Sequence, residues 1–110
     1  SRLMRAAAYR GHYEIVKFLL NRGSQNYNEA LYGGASWGYI DIVNLALERG
    51  ANDVNTGLSF AAVKGYINIV ERLLDAGANN YAQAWALANG HGHYEIAALL
   101  AERNDQNYGV

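Results

Sequence analysis

The stretch AAVKGYINIVERLLDAGA, Ala61–Ala78, decides the fold. Gly65 interrupts it, because a glycine readily leaves the helical conformation and ends the first helix there. After Gly65 the apolar side chains recur at the spacing of one helical face: Ile69, Val70, Leu73 and Leu74. Gly77 then stands where a helix needs a left-handed capping residue. The stretch therefore predicts two short helices joined by a tight turn.

The same pattern occurs four times, at a spacing of 27 residues. The turn position holds Gly11, Gly38, Gly65 and Gly92. The capping position holds Gly23, Gly50 and Gly77, and its fourth place is taken by Asn104, which tolerates the left-handed conformation. One helix pair cannot bury its own apolar stripe, whereas stacked pairs can. We predict an all-α helical-hairpin solenoid, one domain over residues 1–110, with its four repeats at about 1–27, 28–54, 55–81 and 82–110.

Register within the repeat also predicts helices, caps and core. The first helices should cover Arg2–Arg10, Glu29–Trp37, Thr56–Lys64 and Gln83–His91, with Asn28 and Asn55 as N-caps. At one register position of these helices we expect side chains that are buried between neighbouring repeats: Met4, Leu31, Leu58 and Trp85. In the second helices we expect the matching isoleucines to be buried: Ile15, Ile42, Ile69 and Ile96.

Composition excludes several classes of function. The 110 residues contain no cysteine and have a formal net charge of −1, which argues against nucleic-acid binding through a basic patch. No apolar run has the length of a membrane span. We expect no cofactor. One alternative is a zinc enzyme using His91, His93 and Glu95, but His93 fills the turn position of Tyr39 and Tyr66, which favours a structural role.

The pattern A-A-x-x-G-H/Y-x-x-I-V-x-x-L-L-x-x-G-A resembles the ankyrin repeat. Ala61–Ala78 carries it most clearly, Gly11-His12 and Gly92-His93 are similar to the family's Gly-His turn, and Gly50–Asn55 resembles its G-A-D-V-N tail. The family's unit has about 33 residues. The residues missing here come from the segment that forms a β-hairpin finger in the family. In this the chain resembles the short, fingerless ankyrin units of some giant viruses and intracellular bacteria.

The resemblance implies a non-enzymatic scaffold that binds a protein or peptide partner on the concave face formed by the first helices. Trp37 is the expected anchor, because its register position holds charged or polar residues elsewhere and should face water. The other residues that we expect to bind the partner are Tyr32, Arg10, Lys64, Ser36, Ser59, His91 and Arg5. A second interpretation of Trp37 is that it covers a gap left by the small Gly33 and Gly34.

Two columns of loop residues share a register, and we interpret them mainly as structural. Tyr27, Val54, Tyr81 and Tyr108 would seal the loop edge, and Asn26, Asp53, Asn80 and Asn107 would form a polar ladder for the loop backbone. The alternative is an exposed ridge for a ligand. As a whole, the chain is expected to be a cytoplasmic monomer, in the host cytoplasm if it comes from a virus or an intracellular bacterium. The alternative to partner binding is a spacer or capping fragment of a longer ankyrin-repeat or multidomain protein.

Overall fold

The computed structural model describes the backbone of residues 1–108 and the side chains of residues 1–106. Those residues form eight α-helices and no strand. The helices are α1 (Arg2–Tyr9), α2 (Tyr13–Asn21), α3 (Tyr27–Trp37), α4 (Ile40–Arg49), α5 (Val54–Lys64), α6 (Ile67–Asp75), α7 (Tyr81–Gly90) and α8 (Tyr94–Tyr108). The predicted all-α architecture of four repeated helix pairs is confirmed.

The helices group into two compact units. In Ser1–Asp53, α1 packs on α2 and α3, while α4 packs on α2 and α3. In Val54–Val110, α5 packs on α6 and α7, and α7 packs on α8. Each unit therefore contains two of the predicted helix pairs, and the first helices of its two pairs are in contact.

Glycines end both helices of a pair in the same way. Gly65 has φ +88° and Gly77 has φ +108°, values that residues with a side chain rarely adopt. The residue after each glycine donates its N–H back to a carbonyl in the last helical turn: Tyr66 to Ala61 O at 3.1 Å and Ala78 to Leu73 O at 3.0 Å. This is the hydrogen bond of the Schellman motif. It explains why two register positions of the repeat hold glycine.

The core follows the predicted register except at its two ends. Met4, Leu31 and Leu58 are fully buried, and so are Ile42 and Ile69. The predictions for Trp85 and Ile15 were wrong, because each is 43% exposed. Within each unit the equivalent positions are buried against a neighbouring pair, as at Ile42, where α4 packs on α2, and at Leu58, where α5 packs on α7. Ile15 belongs to the first described pair and Trp85 to the last, and within their units no other pair covers them.

Three predicted helix caps are also wrong. The helix α3 begins at Tyr27 and α5 at Val54, so Asn28 and Asn55 lie inside these helices rather than before them. Asn104 does not end a helix either, because α8 continues past it to Tyr108. Asparagine is common at helix ends, but the side chains of Asn28 and Asn55 bond to the loop that follows their own helix pair, as described below.

Small residues let the first helices approach one another closely. A Cβ atom added to Gly33 would lie 2.6 Å from the Cβ atom of Ala8 and 2.7 Å from its carbonyl carbon. A Cβ atom added to Gly34 would lie 2.9 Å from a methyl carbon of Val43. Gly33 therefore sets the approach of α3 to α1, and Gly34 sets that of α3 to α4.

Candidate partner-binding face

Trp37 lies in the last turn of α3, immediately before the left-handed Gly38. Its side chain is 50% exposed. The same register position is exposed in the other three pairs, where it holds Arg10, Lys64 and His91. The position faces water in every repeat, as the register predicts, and in α3 it carries a large aromatic ring.

In both units a hydroxyl group on a first helix bonds to the loop that follows the second helix of the same pair. The Tyr32 hydroxyl donates to the Asp53 carboxylate. At the same register position in the second unit, Asn80 Nδ2 donates to Ser59 Oγ over 3.1 Å. Tyr32 and Ser59 were predicted to bind a partner. Both are half-buried, and each bonds to the loop at the end of its own repeat.

The contact with Asp53 raises the pKa of Tyr32 from 10.0 to about 12. The hydrogen bond that the phenol donates to the carboxylate is the main cause, followed by desolvation and by the negative charge of Asp53. All three favour the neutral phenol, since ionising it would break the bond and place two negative charges side by side.

This pKa predicts a loss of stability at alkaline pH. A phenol with a higher pKa in the folded than in the unfolded state stabilises the fold fully below pH 10, and that contribution is lost as the pH rises through about 12. We expect Tyr32→Phe to lower the free energy of unfolding by about 1 kcal/mol near pH 8. In urea titrations above pH 10, the difference in this free energy between variant and wild type should become smaller. A difference that stays constant to pH 12 would contradict the hydrogen bond between Tyr32 and Asp53.

The other predicted binding residues differ in accessibility. Arg5 is exposed, and its Nη2 lies 3.3 Å from Oε2 of Glu29 on the neighbouring first helix. Arg10 and Lys64 are exposed, and so is His91, whose Nδ1 lies 2.9 Å from Leu87 O. Ser36 is only 7% exposed. A partner cannot reach a side chain this deeply buried, so Ser36 does not belong to an accessible face.

Asparagine side chains near the start of the first helices bond to the loop at the end of the same repeat. Asn28 Oδ1 accepts the backbone N–H groups of Asn52 at 2.9 Å and Asp53 at 3.1 Å. In the second unit, Asn55 Oδ1 accepts the N–H of Asn79 at 2.8 Å. A polar ladder therefore exists, but Asn28 and Asn55 provide the bonds to loop N–H groups. In the predicted polar column, Asp53 accepts a hydrogen bond from Tyr32 and Asn80 donates one to Ser59. The side chains of Asn107 and Tyr108 lie outside the described residues.

The histidines proposed as zinc ligands bond to backbone carbonyls. His93 Nε2 lies 3.0 Å from Val63 O, and the ring covers Gly65, where an added Cβ atom would come within 2.5 Å of it. In the part of the chain that the structure describes, no three His, Cys, Asp or Glu side chains form a group that could hold a metal ion. His91, His93 and Glu95 are therefore not brought together as a ligand set.

Sequence reasoning missed several exposed apolar side chains. Leu3, Phe18 and Tyr94 are between 56% and 68% exposed, although none was predicted to be accessible. For Leu3 and Phe18 a signal was present, because both lie in the first repeat, at positions that the second repeat buries in Ala30 and Leu45. Among the described residues, none of the helices combines the length and the apolarity that crossing a membrane requires.

Comparison with known proteins supports the repeat assignment. The family model described as "Ankyrin repeat" matches residues 2–30, which span α1, α2 and the start of α3. No curated protein matches the chain. The three helix pairs that follow repeat the architecture of the matched segment. Residues 2–30 are therefore similar to the ankyrin-repeat family, and the helical architecture of the described residues is consistent with ankyrin-like repeats.

Proposed function

We propose that the chain binds a protein or peptide partner through the outer face of its first helices, with Trp37 as the anchor. Ankyrin repeats are, as a family, modules of protein–protein interaction and are typically not enzymes. The observation that carries the proposal is the half-exposed indole of Trp37 on the end of a packed helix. Exposed tryptophans on rigid scaffolds are frequent hot spots of interfaces.

The packing around Gly33 and Gly34 argues against the interpretation that Trp37 covers a gap over these glycines. If Trp37 covered a gap over these glycines, its ring would lie near their α-carbons. The nearest atoms to an added Cβ atom belong instead to Ala8 and Tyr9 at Gly33, and to Val43 and Tyr39 at Gly34. Neighbouring helices already fill the space, which leaves half of the indole surface available.

The charge near Trp37 favours a partner that combines an apolar and an acidic group. Arg10 follows α1, the helix that packs against α3, and occupies the same register position as Trp37. An apolar side chain on the indole would bring a neighbouring carboxylate towards this guanidinium. The second unit carries Lys64 and His91 at the register position of Trp37, and Ser59 at that of Tyr32. Binding by these three residues remains a prediction. A cytoplasmic location also remains a prediction.

A peptide selection tests the anchor. Peptides would be selected from a random displayed library on wild-type protein at low micromolar concentration, and their affinities measured for three proteins. We expect Trp37→Ala to bind them at least about tenfold more weakly, because removing a hot-spot side chain costs more than about 1.4 kcal/mol. The matched control is Trp85→Ala, which removes a similarly exposed indole from α7 and should leave the affinities unchanged.

Circular dichroism should first show that all three proteins are equally folded. Selected peptides that bind Trp37→Ala as tightly as wild type would reject Trp37 as the anchor. A selection that yields no binder would favour the spacer alternative.

A further inference from the structure

The first helix pair carries an exposed apolar surface on the side away from the second pair. Leu3, Ile15 and Phe18 are 58%, 43% and 56% exposed. Their register equivalents in the second pair, Ala30, Ile42 and Leu45, are at most 4% exposed. We call the exposed set, Leu3, Ile15 and Phe18, the leading face. Its positions are buried in the second pair because the first pair lies against them.

The last helix pair carries the opposite surface. Trp85 is 43% exposed, whereas its register equivalents Met4, Leu31 and Leu58 are fully buried. Trp85 borders a concavity of about 280 Å³ between α7 and α8. We call the residues that line it the trailing face: Tyr81, Ala82, Trp85, Leu100, Ala101 and Asn104.

The leading and trailing faces are the two halves of one kind of interface. A position exposed only in the first pair points backward along the repeat, and a position exposed only in the last pair points forward. Contacts between successive pairs, such as α1 with α3 and α5 with α7, join a forward surface to a backward one. We propose that the chain self-associates head to tail, the leading face of one copy stacking on the trailing face of another as a further repeat.

The turn glycines provide a second complementary feature. In the first unit the Tyr39 ring covers Gly11, where an added Cβ atom would lie 2.6 Å from it, and in the second unit His93 covers Gly65 in the same way. Gly92 is uncovered, with nothing within 4 Å of an added Cβ atom. His12 has the register of Tyr39 and His93 and is exposed. Head-to-tail stacking places His12 of one copy over Gly92 of the other.

Charge provides a third complementary feature. In the second unit Arg103 Nη2 lies 3.3 Å from Asp75 Oδ1, which joins the last two repeats. The register equivalent of Arg103 in the first repeat is Arg22, and that of Asp75 in the last repeat is Glu102. Both are exposed. The same stacking therefore brings Arg22 of one copy to Glu102 of the other.

The proposed contact joins two different surfaces, so a dimer still has one unused face of each kind. Further copies can add to these faces, and assembly continues with rising concentration to an open chain or a closed ring. This departs from the monomer expected from the sequence. It is also independent of Trp37, because the register position of Trp37 is exposed in every repeat.

Sedimentation equilibrium over about 1 µM to 1 mM tests the proposal. The average mass of wild type should rise beyond that of a dimer. Phe18→Asp changes only the leading face and Trp85→Glu only the trailing face, and each variant alone should remain a monomer. Their equimolar mixture should form dimers and nothing larger, because one intact face of each kind remains. Trp37→Ala is the control and should assemble like wild type, which separates this proposal from the partner-binding one.

The charge pair gives a second readout on the same chain. Arg22→Glu should weaken association about three- to tenfold, since it places like charges together. Adding Glu102→Arg to that variant should restore association, because opposite charges again meet. Wild type that stays monomeric to about 1 mM would overturn the proposal. So would a single-face variant that still dimerises alone, or a mixture of the two variants that fails to associate.

Discussion

A Gly33→Ala variant is expected to lose about 2 kcal/mol of its free energy of unfolding. The added methyl group would lie 2.6 Å from the Cβ atom of Ala8, 2.7 Å from the Ala8 carbonyl carbon and 2.9 Å from the Tyr9 nitrogen. Two of these atoms belong to the backbone of α1, so no side-chain rotation can relieve the clash, and α1 must move away from α3. The overpacking strain of about 3 kcal/mol exceeds the gain of about 1 kcal/mol that alanine brings to a helix interior, which leaves the net loss stated above.

The matched control for this substitution is Gly90→Ala. Gly90 lies at the end of α7, has no left-handed φ, and has nothing within 4 Å of an added Cβ atom. The same chemical change should therefore stabilise the fold by about 0.5–1 kcal/mol. Urea titration measures both, as midpoints that move in opposite directions at unchanged slope. Gly33→Ala at wild-type stability would mean that α1 and α3 are not in close contact.

The second large effect is expected at Leu58, which is fully buried in α5. Leu58→Ala removes most of an apolar side chain and leaves a cavity between packed helices, at a cost of about 3 kcal/mol. Trp85 occupies the same register position in α7 but is 43% exposed. Although tryptophan is larger, Trp85→Ala should cost only about 1 kcal/mol, because much of its surface is already in water.

Thermal and urea unfolding measure the loss in free energy of unfolding for the two variants. The measurements use a protein concentration too low for assembly, and they compare one register position when it is buried and when it is exposed. Equal costs for Leu58→Ala and Trp85→Ala would contradict the exposed trailing face. A larger cost at Leu58 would support the conclusion that burial in this fold depends on a neighbouring pair.

Sequence periodicity predicts the interior of the repeats well and their boundaries less well. Gly65, Ile69 and Leu58 have their predicted roles, because a helix turn and a buried stripe depend on spacing along the chain. Trp85 and Ile15 share those registers but remain exposed, since spacing cannot show whether another pair lies against them. The sequence therefore predicts which positions can be buried, and three-dimensional packing decides which of them are.

The polar residues show the same limit in another form. Asn28 has the local features of a helix cap, yet its side chain bonds to Asn52 and Asp53 in the next loop. Tyr32 appears in the sequence as an exposed binding residue, and its hydroxyl bonds to Asp53. Local propensity describes the nearest few residues along the chain. These contacts join residues 21 to 25 positions apart and depend on tertiary packing.

The hydrogen bonds between separate elements of the chain bear on how the chain folds. The bonds from Tyr32 to Asp53, from Asn55 to Asn79 and from His93 to Val63 close loops of 21, 24 and 30 residues. Loops of such similar length carry nearly the same closure entropy, so no one contact must wait for a distant part of the chain. Contacts this local are typical of rapid folding. Each helix pair needs only its sequence neighbour as a template, so ordering can begin at more than one place and spread from repeat to repeat.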